Sequence, residues 1–266
     1  MANYFYRIGQ SAKAFAESYI EQTPVKWYRL QSHCRKIKPT PTNKRLSWTD
    51  ASTVPYAVAK QEQNVNKGFY KAMTWTGRLV HKVLDLLGVP EFFDLIGQII
   101  KPNTRMLTEL EVKEAKKVFG GSLPYHKIRI DEYSLIAMAG AKFVRTNDMG
   151  VGLFYTIHFT RPLNIVPGNC DMKWLIHELV HVAQMLYVGS QYTSEALYAQ
   201  FTTGYDYGGP NNLINKQLKD FNREQQGCIP EDYYYFVLFD RNHKRYGYMP
   251  YRVYKSYIQQ LQEGDM

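Results

Sequence analysis

The chain has 266 residues, 45% hydrophobic and 21% charged. That is enough apolar material for one large or two small globular domains, and too much for a disordered or fibrous chain. Three cysteines (Cys34, Cys170 and Cys228) at long spacings, with no CxxC pair, exclude a disulfide framework and a cysteine zinc site. The net charge of +9 is uneven: residues 1–105 carry 16 Lys and Arg against 7 Asp and Glu, whereas residues 106–266 carry 17 of each. The basic character therefore belongs to the first part, which points to two regions with different tasks.

The N-terminus lacks an apolar core of signal-peptide length, and no stretch reaches 18 apolar residues. The expectation is a chain made in the cytoplasm without a signal peptide or transmembrane segment, compatible with export by a signal-independent machine. Residues 9–22 suggest a short helix. Residues 33–68 hold Pro39, Pro41 and Pro55 among Lys36, Lys38, Lys44 and Arg45, and the whole of 1–68 reads as a basic, partly mobile arm. It carries no nucleic-acid motif, so nucleic acid is not the expected partner; the plain reading is a solvated tail, and the functional one is docking to an acidic, secretion-apparatus protein. Residues 69–103 regain helical apolar spacing, broken at Gly88-Val89-Pro90. They read as a helical hairpin packed on the remainder, with amphipathic docking as the alternative. Residues 104–266 read as the catalytic domain.

Within that domain, Thr108-Glu109-Leu110-Glu111 offers a capping box for a helix running to Phe119 and stopping at Gly120-Gly121. Short strands are predicted over 127–130, 142–145, 153–159 and 163–166, separated by Asn, Gly and Arg-Pro turns. The stretch from Gly152 to Phe159 is the candidate for pairing with an extended substrate. His158 lies on it and reads as structural.

The next helix holds His177-Glu178-Leu179-Val180-His181 in an apolar run, with Asp171 as the expected cap and Gly189 as the expected stop. His177 and His181 are four residues apart and share one helix face, so both imidazoles can grip one Zn²⁺ at about 2.0–2.1 Å. Glu178 then holds the general-base position. Thr193 or Ser194 caps a second helix whose first turn carries Glu195. Folded back beside the first, that helix makes Glu195 the expected third ligand; its other reading is a glutamate favoured there by the helix dipole. In the glycine-rich loop that follows, Tyr205 and Tyr207 are candidate donors to an oxyanion. Asn222 with Gln225 signals another helix start, residues 232–240 a buried aromatic segment, and residues 253–261 a closing helix.

Residues from about 104 to 240 resemble bacterial HExxH proteins found near polymorphic-toxin and contractile-injection (type VI-like) genes, including Vgr- and Rhs-associated proteins. The matching pieces run from Leu107-Thr108-Glu109 to Phe119-Gly120. They continue with His177-Glu178-Leu179-Val180-His181-Val182, Glu195-Ala196-Leu197, Phe221-Asn222-Arg223-Glu224-Gln225-Gln226 and Asp232-Tyr233-Tyr234. The resemblance implies a zincin-like α+β fold and zinc metallopeptidase activity on substrates that are mostly undefined. The usual Ala after the paired glutamines is Gly227 here, a departure expected to leave the ligands untouched. The expected activity is zinc-dependent hydrolysis of protein or peptide amide bonds. Two alternatives stand beside it: hydrolysis of peptidoglycan stem peptides, and a non-catalytic zinc-containing component docked on a secretion apparatus through the basic N-terminal region.

Overall fold

In the computed structural model the described residues are 2–35, 67–100, 104–240, 242–243, 247–248 and 251–266. The N-terminal helix α1 (Ala2–Arg35) is longer than the 9–22 segment expected, because the chain stays helical through Pro24. A proline removes only one helix hydrogen bond, and tertiary contacts can offset that loss. α2 (Lys67–Leu86) and α3 (Val89–Ile100) form the predicted hairpin, turning at Gly88 with φ +71°. Tyr19 of α1 donates to the Leu86 carbonyl at 3.0 Å, and Lys26 forms a buried ion pair with Glu91 of α3. Of the expected arm over 1–68, residues 36–66 lie outside the described residues, whereas residues 2–35 form α1 and bond the rest of the chain through Tyr19, Lys26 and Arg29.

The rest is α+β, built on a small mixed sheet. Its strands are β1 (Arg105–Met106), β2 (Arg129–Glu132), β3 (Gly150–Leu153) and β4 (Thr156–Phe159), in the order β1-β2-β4-β3. β2 and β4 run parallel with Ile130 opposite Ile157, and β3 pairs antiparallel with β4. The single strand expected over 153–159 is therefore a hairpin whose turn is Phe154-Tyr155; Phe154 takes φ +53° and packs its ring 4.1 Å from that of Tyr155. All four β4 residues are buried. His158 bonds Asp131 at 3.0 Å and Ser134 at 2.9 Å, the structural role expected for it.

α4 (Glu109–Phe119) starts at the predicted capping box, with Thr108 and Glu111 satisfying each other's backbone amides. Its Ala115, Val118 and Phe119 enter the core. The strand expected over 142–145 is instead the end of α5 (Leu135–Val144). The unbroken apolar run from Leu135, with Ala137 and Ala141 four apart and buried, favours a helix over an alternating strand. Residues 163–166 form no strand; the Leu163 amide is taken by Glu132 and the Asn164 amide by Asp171, so ladder donors are already spent.

The HExxH stretch lies on α6 (Cys170–Tyr187), the helix at the centre of the core. Asn169, not Asp171, caps it by accepting from the Met172 amide; Asp171 instead binds Arg161. Gly189 ends it with φ +96°, as expected. α7 (Gln191–Phe201), α8 (Arg223–Asp232) and α9 (Tyr251–Glu263) complete the domain. α8 opens with the Asn222–Gln225 capping box and runs into a π-helical turn at Tyr233–Val237. The edge strand β3 lies against α6, where glycine is required: a Cβ on Gly150 would sit 2.3 Å from Glu178 Oε1, and one on Gly152 3.0 Å from His181 Cβ.

Gly150→Ala is expected to destabilise the chain by about 1–3 kcal/mol through overpacking against Glu178. Gly121→Ala, where nothing lies within 4 Å, should change stability much less. Urea unfolding of the two variants checks this; equal effects would refute the close packing of strand and helix.

Candidate metal centre

Two helices and one turn of sequence-distant chain build the site. α6 projects His177 and His181 from one face, with ring centroids 5.1 Å apart. α8 crosses it and places Glu224 in its own first turn. His177 Nε2 is 3.2 Å, and His181 Nε2 3.5 Å, from the same oxygen, Glu224 Oε2. All three side chains are buried. The three donors fall within 4.8 Å of one another. For a tetrahedral ion with ligands at about 2.0–2.1 Å, donors should be spaced by roughly 3.3 Å, so the observed spacing fits such an ion.

The far side of each donor is fixed as well. His177 Nδ1 is 2.8 Å from Glu231 Oε2, and His181 Nδ1 is 2.8 Å from Gln184 Oε1. A proton on each Nδ1 donates to these acceptors and leaves Nε2 free as a ligand atom. Gln200 donates to the other Glu224 oxygen at 3.0 Å. Glu231 is held in turn by Lys173 at 3.1 Å. Glu178 sits beside the cluster: Trp174 Nε1 donates to its Oε1 at 3.2 Å, while its buried Oε2 has no hydrogen-bond partner. A buried carboxylate oxygen left without a partner is costly, and a buried carboxyl group bordering a cleft is a recurrent feature of reactive sites.

Glu195, the expected third ligand, is elsewhere. It accepts from Arg223 Nε at 2.7 Å and lies 3.7 Å from Arg78. α7 begins at Gln191 rather than Thr193, which turns the Glu195 side chain toward the start of α8. Of the two tyrosines, Tyr205 borders the cleft with its ring 5.9 Å from that of His177. Tyr207 is 4% exposed; its hydroxyl donates to Asp232 at 2.7 Å and sits 2.6 Å from that of Tyr254. Tyr207 is therefore part of the core. Gly227, expected to leave the ligands untouched, lies against His177: a Cβ there would be 2.6 Å from the ring's Cε1. Sequence reading also missed Glu224, Glu231, Gln184 and Cys228, the last with its sulfur 3.9 Å from His177 Nδ1. The paired signal for Glu224 was its place in the first turn of a capped helix. Cys170 is exposed and borders the same cleft.

Electrostatics tie the cluster together. Burial alone disfavours the His177 imidazolium, but hydrogen bonds to Cys228, Glu224 and Glu231 outweigh it and raise the pKa well above the usual histidine value. His181 is raised too: burial opposes charge, and Glu224 more than offsets it. Burial would raise Glu224, yet His181 and His177 hold it well below the carboxylate range. Glu178 is raised, chiefly by burial, with both histidines opposing.

The site thus belongs to a small α+β domain with a buried His-His-Glu cluster and an adjacent carboxylate, Glu178, one oxygen of which has no hydrogen-bond partner. No family model matches the chain, and no solved structure matches it. A segment is similar to the type VI secretion system spike protein VgrG2b of Pseudomonas aeruginosa, 31% identical over 142 residues, covering 49% of this chain and 13% of that protein.

A pH prediction follows from these shifts. Groups raised in the folded state (His177, His181 and Glu178) contribute most below their unfolded values and lose that contribution as pH rises through the folded ones. Glu224, lowered, contributes above its unfolded value of 4.5 and loses this as pH falls. For the metal-free chain the His177, His181 and Glu224 contributions coexist between the reference values of 4.5 and 6.5. Its melting temperature is expected to fall from pH 6 to pH 8. The rise produced by added zinc, which needs deprotonated imidazoles, should be larger at pH 8. A zinc-induced rise that shrinks with pH would contradict this arrangement.

Proposed function

We propose that this chain is a zinc-dependent hydrolase of amide bonds with a zincin-like catalytic domain. The observation that carries the reading is the convergence of His177 Nε2 and His181 Nε2 on one Glu224 oxygen, beside a buried Glu178 oxygen with no partner. His177, His181 and Glu224 would hold the metal, which when bound supplies a Lewis acid and a water ionisable near pH 7. Glu178 is the general base: its pKa, raised by burial, suits it to accept a proton and later deliver one to the leaving amine. Trp174 fixes one Glu178 oxygen and leaves the other without a hydrogen bond. Glu231 and Gln184 hold the imidazoles with Nε2 facing inward. Tyr205, at the cleft wall, is positioned to donate to a developing oxyanion; Tyr207 is not.

The likeness to a segment of a type VI spike protein supports a place for this chain with such an apparatus, as a hydrolytic component delivered by or docked on it. The excess positive charge of residues 1–105 would favour an acidic partner surface.

Substitutions separate the roles. Glu178→Gln should keep zinc and lose about 10²–10⁴-fold in kcat. Glu231→Gln should weaken zinc binding by roughly 10–100-fold, and Glu224→Gln by more. Glu195→Gln should retain the metal. Metal analysis after dialysis against a graded chelator reads these outcomes; a chain that binds no zinc, or loses it on Glu195→Gln but not on Glu224→Gln, would overturn the assignment.

Tyr205→Phe should lower kcat by about 10²–10³-fold with KM little changed, the signature of a transition-state donor. Tyr207→Phe should instead lower stability by about 1–2 kcal/mol by leaving Asp232 short of a donor, with kcat within a few-fold of wild type. Steady-state kinetics and urea unfolding of the pair distinguish the two tyrosines.

A further inference from the structure

This inference rests on the hydrolase reading and concerns what the cleft accepts. The cleft holds about 840 Å³, and its lining mixes charged with apolar side chains. Five carboxylates face two cations, Arg161 and Lys173, among the described lining residues. Neither cation is free. Arg161 makes two hydrogen bonds to Asp171, at 2.7 and 3.0 Å, and lies 3.4 Å from Asp148. Lys173 lies 3.1 Å from Glu231 and 3.5 Å from Asp232, with its ammonium over the Phe236 ring at 4.9 Å. Even with a divalent cation bound, the lining carboxylates outnumber the positive charges. An anionic substrate would meet a negative potential and no available guanidinium or ammonium.

Apolar residues border the cleft as well. Val144 at the end of α5 and Phe201 at the end of α7 border the cleft. Phe201 is 58% exposed and meets Phe143, 74% exposed, edge to face at 6.1 Å. Leu197 and Tyr198, on the same helix as Phe201, are exposed as well. Neither phenylalanine belongs to the buried core, so packing of the fold does not account for them. Contiguous exposed aromatics at the lip of a cleft are a signature of ligand contact.

We propose that the substrate is an extended polypeptide segment of neutral or basic character, with a bulky apolar side chain seated on Phe201 and Phe143 near the scissile bond. Acidic peptides, including the carboxylate-bearing stem peptides of peptidoglycan, are poor substrates. One apolar side chain in such a contact discriminates by about 10–200-fold.

The test is a positional library of fluorogenic peptides, together with purified sacculi, incubated with the zinc-loaded full chain. Peptides with Phe, Leu or Met at the selected position should be cleaved at least ~10-fold faster than those with Ala. Peptides with Asp or Glu should be depleted, and sacculi should release no soluble stem peptide. Phe201→Ala should shrink the Phe-to-Ala preference to within about threefold while zinc content stays unchanged. Phe143→Ala, at a still more exposed position, provides the same readout should Phe201→Ala fail to fold. Cleavage without an apolar preference, a preference untouched by either variant, or turnover of acidic peptides or sacculi as fast as apolar peptides would overturn this inference alone. A chain that binds zinc but cleaves neither peptides nor sacculi would overturn the hydrolase reading and this inference with it.

Discussion

The arrangement depends on one buried contact, in which two imidazoles from α6 meet a single carboxylate from α8. A carboxylate as buried as Glu224 is strongly destabilising unless its charge is met. Here the charge is met on every side: both Nε2 atoms on one oxygen, and the Gln200 amide on the other. Removing one partner would strand the others, so the two helices cannot part without exposing several unsatisfied charges together. The close approach this demands is permitted by glycine. Gly150 and Gly152 let strand β3 lie against Glu178 and His181, and Gly227 lets α8 lie against the His177 ring. Side chains at these three points would push the helix away from the strand or from its partner helix.

Outside the cluster, a chain of amides keeps α8 in register. Gln184, whose oxygen faces His181, donates through its NH₂ to the Arg223 carbonyl at 2.9 Å and to Gln226 Oε1 at 3.0 Å. Gln226 donates in turn to the carbonyls of Leu218 and Phe221. Arg223 donates both to Gln226 and to Glu195. The glutamine amides and the Arg223 guanidinium are joined in one connected network, whereas Glu195 Oε1 is buried without a hydrogen-bond partner. Glu195 contributes to the site through Arg223, the residue immediately before Glu224.

The sequence made the α6 helix legible because its evidence is local: two histidines at helical spacing, apolar neighbours and a glycine stop. The capping boxes at Thr108 and Asn222 were legible for the same reason. Glu224 was not, because what makes it a neighbour of His177 is the crossing of α6 and α8, and the two residues are far apart in the chain. Local geometry instead favoured Glu195, the nearer acidic residue on the next helix. The tyrosine loop shows the same limit. Nothing within Thr203-Gly204-Tyr205-Asp206-Tyr207 says that one phenol faces the cleft while the other bonds Asp232 and Tyr254. The short β-favouring stretch Lys142-Phe143-Val144-Arg145 suggested a strand, but the longer apolar run before it carries the helix through Val144.

The N-terminal helices are tied to the same framework. Asp85 of α2 accepts from the Ser190 amide at 3.0 and 3.1 Å, just past the end of α6, and Arg29 of α1 donates to the Leu186 carbonyl. Both contacts satisfy backbone groups at the C-terminal end of the helix that carries the histidines, where carbonyls otherwise lack partners. The basic part of the chain and the carboxylate-rich cleft are therefore joined through one helix. If the chain is the hydrolase proposed above, the opposite charges of the two regions would favour different ligands: an acidic partner for residues 1–105 and a neutral or basic peptide for the cleft. The carboxylates of the cleft would then repel the acidic partner, so that docking and cleavage would not compete for one site.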